Sequence, residues 1–162
     1  DGLVNYVLVN LGILDKPYNF LTQPFAAKIV IILALLWRWT GYNMVFFLSG
    51  LQNIEYSVYE AAKIDGASAI QTFFKITVPL LKPTILLTAI MSTNGTLQLF
   101  DESINLTDGG PANASISMSH YIYNLCFKYV PNFGYAAAMS FFILLLVAVL
   151  AFIQMRVGDK RD

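Results

Sequence analysis

Charge is scarce in this sequence: only 12% of its 162 residues are Asp, Glu, Lys or Arg, and ten bases balance ten acids. A total of zero carries no signal for nucleic acid or acidic partners, so only the placement of charge along the chain can inform. Cysteine is reduced to Cys126, which excludes an intrachain disulfide, and histidine to His120, which alone makes no metal site. Both read as structural residues. There is no Gly-x-x-x-x-Gly-Lys-Ser/Thr phosphate loop and no nucleophile–base constellation. No catalytic residue, metal or cofactor is therefore expected, and ATP hydrolysis by this chain is excluded.

What is abundant is apolar surface. Apolar residues make up 57% of the chain and the mean hydropathy is +0.60, too high for an ordinary soluble domain. A membrane helix needs about 20 mostly apolar residues, because every backbone polar group must be satisfied inside the segment. Three stretches qualify, at 24–50, 83–105 and 133–155, and the last has no charged residue. The expected fold is all-α, a polytopic helical membrane protein. Segment 1–23 is too interrupted by Asp15, Lys16 and Pro17 to span, and reads as an interfacial piece with a short helix over 3–11.

Lys and Arg are retained on the cytoplasmic side during insertion. Lys63, Lys75 and Lys82 fall in 51–82 and Arg156, Lys160 and Arg161 in the tail 156–162, against Lys16, Lys28 and Lys128 on the other side. That bias places 51–82 and the C-terminus in the cytosol, and 1–23 and the loop 106–132 outside. The outer loop carries the turn signal Thr107-Asp108-Gly109-Gly110-Pro111, then a short helix within 115–128.

The cytosolic stretch has a defined local grammar. Helix formers Glu60, Ala61, Ala62 and Lys63 run into Asp65-Gly66, a natural stop. Ser68 with Gln71 three residues later has capping-box spacing. The expectation is helix, glycine elbow, helix. Helices so short are marginal in water and need a surface to hold them, either a partner protein or the membrane interface. Tyr59 and Phe73 offer aromatic anchors and Glu60 a charged acceptor.

Polar residues inside a membrane segment usually face a bundle interior or a wet cavity. The second span concentrates Ser92, Thr93, Asn94, Gly95, Thr96 and Gln98, and on a continuous helix Met91, Asn94, Gln98 and Asp101 share one face. That face either lines a passage or glues helices together. In the first span Trp37, Gly41 and Met44 share a face with Tyr42 and Asn43 adjacent, a mixture suited to sugar surfaces or to plain packing. Arg38 needs a partner at that depth, and Asp101 or Glu102 is the candidate for an intramembrane ion pair.

The run Glu60-Ala61-Ala62, Gly66, Ile76 and Pro79 resembles the EAA loop of permease subunits in bacterial ATP-binding-cassette importers. Leu99-Phe100-Asp101, Thr107 to Pro111, Gly41-Tyr42 and Phe133 to Ala138 resemble the carbohydrate-uptake branch that includes the larger maltose permease subunit. The resemblance implies the last three membrane helices of a six-helix importer core, joined by a cytoplasmic coupling-helix loop, so the chain reads as a C-terminal fragment. It implies an ATPase-docking surface around Glu60, Ala61, Ala62 and Gly66, to which the local reading of the loop adds Tyr59, Asp65, Ala67 and Phe73. It also implies a sugar pocket at Gly41, Met44, Ser92, Gly95 and Thr96, to which the helical faces read above add Trp37, Tyr42, Asn94 and Gln98 as the substrate path. Gly95 and Thr96 replace an aromatic and an amide, which argues against maltose itself. The implied partners are a second permease, two ATP-binding-cassette ATPases that bind the ATP, an external solute-binding protein, a sugar and membrane lipid, with no nucleic acid. The implied location is the bacterial cytoplasmic membrane. Two other readings stay open: an importer permease for a phosphorylated polyol such as glycerol phosphate, and a non-transporting membrane scaffold or sensor.

Overall fold

A computed structural model describes residues 2–158, and among them every regular element is helical. A short α1 (Leu3–Asn10) and a 3-10 turn (Phe20–Thr22) precede the long α2 (Pro24–Gln52). There follow α3 (Tyr56–Ile64), α4 (Ala69–Thr72), a π-helical turn (Phe73–Thr77) and α5 (Val78–Leu80). Then come α6 (Lys82–Leu97), α7 (Asp101–Thr107), α8 (Met118–Tyr123), a second π turn (Asn124–Lys128) and α9 (Phe133–Gly158). Prolines stand in the first turns of α2 and α6, where the N–H has no intrahelical partner to lose, while Pro79 follows the π turn within a continuous helical stretch. Asn132 caps α9, its Oδ1 accepting from the Tyr135 N–H at 3.1 Å.

Helices α2 and α9 are each long and apolar enough to cross a bilayer alone. A third span exists only if Ala69–Leu80 and Lys82–Leu97, bent by 64° at their junction, act as one broken crossing. With 16 residues, α6 rises about 24 Å, less than the ~30 Å hydrocarbon core.

The expected second span over 83–105 is corrected here. The helix stops at Leu97, and a new one starts at Asp101 after a non-helical link. At the break Phe100 leaves the helical region, at φ −135°, and the Ser117 hydroxyl, from far along the chain, donates to the Leu99 carbonyl. Asp101 and Glu102 then occupy the first turn of α7, where carboxylates complement the helix dipole. The expected shared face of Met91, Asn94, Gln98 and Asp101 therefore loses Asp101. Of the tail 156–162, α9 runs through Arg156 to Gly158, and 159–162, with Lys160 and Arg161, lie outside the described residues; so does Asp1 of the first segment.

Helix α6 is the centre of the packing and runs antiparallel to both neighbours. Towards α2, a Cβ on Gly50 would stand 2.8 Å from Thr84 Oγ1, and one on Gly95 would stand 2.1 Å from Trp39 Cζ2. Small residues at these crossings let the backbones approach closely. Asn43 Nδ2 donates to Ser92 Oγ at 3.1 Å between them. Towards α9, Gln154 Nε2 donates to Thr93 Oγ1 at 2.8 Å. On a helical wheel these two sets lie about 150° apart, so α2 and α9 flank α6 on nearly opposite sides. Few apolar side chains are buried, Ala27, Ile31, Leu81, Ala136 and Ile143 among them, and most large apolar residues of α2 and α9 point outward.

Candidate functional site

Two places gather the residues singled out by sequence. The first is the elbow between α3 and α4. Gly66 has φ +75°, the Ala67 N–H donates to Ala62 O (3.0 Å) and the Gly66 N–H to Lys63 O (3.1 Å). This is a Schellman stop, in which a residue in the left-handed region satisfies the orphan carbonyls of the helix end. Ser68 then starts α4 with a complete capping box: Gln71 N–H donates to Ser68 Oγ (3.3 Å), and Ser68 N–H donates to Gln71 Oε1 (2.8 Å). Tyr59 Oη lies 3.2 Å from Thr77 Oγ1, tying α3 to the π turn. Between them is a cleft of about 480 Å³ lined by Tyr59, Lys63, Ala67, Ala69, Thr72, Phe73 and Thr77.

The elbow sorts the eight candidate docking residues by direction. Glu60, Ala61, Asp65, Gly66 and Phe73 are exposed, whereas Ala62 is buried against the chain and Tyr59 and Ala67 are half-buried. Ala62 and Tyr59 thus shape the elbow from within, and the outward surface is the exposed five.

The second place is the outward side of α2. A cleft of about 510 Å³ is lined by Trp37, Arg38, Thr40, Gly41, Tyr42, Met44 and Val45, with Trp37 85% exposed. This side is opposite the Trp39–Asn43–Gly50 stripe that packs on α6. The candidates on α6 divide. Ser92 is bonded to Asn43, and Gly95 is filled by the Trp39 ring, so both are consumed in packing. Asn94, Thr96 and Gln98 remain exposed, with Gln98 Nε2 donating to Asn94 Oδ1 at 2.8 Å. No α6 residue lines the α2 cleft, so the structure does not bring the two sets together.

Arg38 sits where the α2 cleft meets α7. Its Nη1 is 2.9 Å from Glu102 Oε1 and 3.7 Å from Asp101 Oδ2, and the guanidinium lies 5.6 Å from the Trp39 ring centroid. Glu102 is therefore the nearer partner. Both carboxylates expected from the sequence face it, and the helix that restarts at Asp101 leaves Glu102 buried and Asp101 exposed.

Sequence reading passed over the cluster that holds α7 and α8 together. Ser103 and His120 are both fully buried. Ser103 Oγ donates to Ser115 O (2.8 Å) and accepts from the Ser117 N–H (3.2 Å), so its one proton is committed. His120 Nδ1, 2.8 Å from Ser103 Oγ, must then be the donor. That leaves Nε2 as the bare nitrogen of the neutral ring, buried, without a hydrogen bond and 3.6 Å from Asp108 Oδ1. Asp108 is gripped by Lys128 Nζ at 2.8 Å to both oxygens. Burial, partly opposed by the Asp108 charge, holds the His120 pKa below its ordinary value. Hydrogen bonding and charge from Lys128 lower that of Asp108, and the reciprocal bond raises that of Lys128. The serine-and-histidine pair is sealed from any substrate and acts as a buckle.

Residues 3–161 match the family model described as binding-protein-dependent transport system inner membrane component. The chain belongs to that family. Among its relatives, the lactose transport system permease protein LacF of Rhizobium radiobacter is 55% identical, covering 99% of this chain and 55% of the relative. The trehalose/maltose transport system permease protein MalF of Thermococcus litoralis is 37% identical over 99% of this chain and 53% of its own. Among solved structures, a bacterial ABC transporter that imports the acidic polysaccharide alginate superimposes with a TM-score of 0.82 at 26% identity, over 97% of this chain and 54% of that one. The chain spans about half the length of the curated relatives it matches. An all-helical inner membrane component of a binding-protein-dependent transport system is thus the class that the family match and the fold both give.

Proposed function

We propose that the chain forms part of the permease subunit of an ATP-driven, binding-protein-dependent importer and lines the passage of a neutral sugar or short oligosaccharide. The observation that carries the reading is the 55% identity to a lactose permease over nearly the whole chain. The elbow supports it from the geometry: a rigidly capped helix pair with Glu60, Ala61, Asp65 and Gly66 facing outward is a docking surface in search of a partner. In this reading the elbow is the EAA coupling helix and its partner is one of two ATPase subunits, which bind the ATP. A second permease completes the passage and an external solute-binding protein delivers the sugar. The subunit itself catalyses nothing and needs no cofactor. It sits in the bacterial cytoplasmic membrane, with the elbow and C-terminus in the cytosol as the basic residues indicate. The phosphorylated-polyol reading loses its one support, because Arg38 is already engaged by carboxylates.

The test uses the intact complex. In a complex cleared of its other cysteines, with Cys126 replaced by Ser, a cysteine at Asp65 should crosslink to the ATPase subunit, and Glu60→Lys should lower sugar uptake by about tenfold or more. A cysteine at Asp65 that reacts only with external, membrane-impermeant reagents, or full uptake by Glu60→Lys, would overturn the assignment and favour a scaffold or sensor.

A further inference from the structure

Among the described residues lining the α2 cleft, Arg38 is the one that carries a charge. A free guanidinium there would recruit carboxylates and phosphates through its forked donors. It is not free. Glu102 Oε1 stands 2.9 Å from Nη1 and Asp101 Oδ2 stands 3.7 Å from the same nitrogen. The Glu102 side chain is only 10% exposed and its Oε2 has no partner, while Asp101 is 72% exposed. One positive charge thus faces two negative ones, and the nearer negative charge is sealed where salt screens poorly.

We infer that Asp101 and Glu102 are specificity-determining residues, cancelling Arg38 so that the mouth of the α2 cleft admits neutral sugars and rejects anionic ones. The inference rests on the reading of that cleft as part of a sugar passage. An incoming carboxylate meets two obstacles. It must displace Glu102 from a short, charge-assisted contact, and it then approaches Asp101, which Arg38 can no longer neutralise. A hydroxyl-bearing neutral sugar meets neither, since it can stack on Trp37 and Tyr42 and donate to the exposed carboxylate. Like-charge repulsion across a few ångströms at a partly wet site supplies discrimination on the order of tenfold to a hundredfold.

The experiment measures binding of two probes to the complete permease complex in lipid nanodiscs without its external receptor. One probe is lactose; the other is the same disaccharide with one hydroxymethyl oxidised to a carboxylate. The readout is the ratio of the two affinities, in which a general loss of folding or access cancels. The wild type should prefer the neutral probe by about tenfold or more, less so at high salt. The double variant Asp101→Asn with Glu102→Gln should shrink that ratio at least about tenfold. Asp101→Asn alone, at an exposed position that does not threaten folding, should shrink it part of the way. Equal binding of both probes by the wild type, or an unchanged ratio in the variants, overturns the inference while leaving the passage reading intact. If Trp37→Ala leaves the binding of both probes unchanged, the cleft is not the passage and the inference falls together with that reading of the cleft.

Discussion

Trp39 lays the edge of its indole into a notch left by Gly95: a methyl group there would stand 2.1 Å from Trp39 Cζ2 and 2.5 Å from Cη2. Neither helix backbone can yield easily, because Asn43 and Ser92 are bonded one turn along the same seam. Gly95→Ala should destabilise the α2–α6 pair by about 1–3 kcal/mol, the usual consequence of overpacking. Adding Trp39→Leu should recover part of the loss. Thermal unfolding of the complex for the two single variants and the double variant measures this coupling, and simple additivity would mean that the notch does not matter.

Gly66 should be replaceable only by residues that tolerate the left-handed region. At φ +75°, alanine is strained by about 1–2 kcal/mol, while asparagine is strained less. Gly66→Ala should therefore lower both stability and uptake, and Gly66→Asn should lie between it and wild type. An uptake assay normalised to assembled complex ranks the three, and an Ala variant equal to wild type would refute the role given to the stop.

The outer buckle should weaken in acid. His120 is held neutral, its folded pKa lowered from the ordinary 6.5 by burial. A depressed folded value means that the stability contributed by the neutral ring is fully present above about 6.5 and is lost as the pH falls through the lower folded value. The groups acting on the ring are Asp108, which favours the proton, and Lys128, which opposes it. Amide hydrogen exchange at Ser117 and His120 should rise, relative to the intrinsic rate, between neutral and mildly acidic pH. Asp108→Asn removes the charge that favours protonation, so the loosening should move to lower pH; movement to higher pH would refute the assignment of Nε2 as the bare nitrogen.

The Asn43–Ser92 contact is a reciprocal one: Asn43 Nδ2 donates to Ser92 Oγ at 3.1 Å, and the hydroxyl lies 3.3 Å from Asn43 Oδ1. Interhelical bonds of this kind average about 0.6 kcal/mol. Either single alanine variant leaves its partner unpaired between apolar helices, so Asn43→Ala with Ser92→Ala should lose less than the sum of the singles. A double-mutant cycle on thermal stability gives the sign directly.

Much of this architecture is legible from residue order because it is local. The long, mostly apolar stretches give α2 and α9, and Asp65-Gly66 with Ser68 and Gln71 give the elbow through nearest-neighbour chemistry alone. What escapes is non-local. The α6 break coincides with a bond from Ser117, far along the chain, to the Leu99 carbonyl, and beyond it Glu102 stands nearer to Arg38 than Asp101 does. The polar cluster at 92–98 is equally ambiguous until its neighbours are known: Ser92, Thr93 and Gly95 are spent on α2 and α9, while Asn94, Thr96 and Gln98 are not. A stripe of Trp39, Asn43 and Gly50 set against Gly95, Ser92 and Thr84 was the available signal, since it pairs bulk with absence of bulk at helical spacing.

Because α2 and α9 grip α6 from nearly opposite flanks, the three rods lie side by side like planks, and a plank wall encloses nothing. Any pore that it borders must borrow its remaining sides from residues beyond 2–158 or from another polypeptide. Cargo would then touch this chain along one stave of a barrel, and selectivity would be a joint property of every stave that meets there.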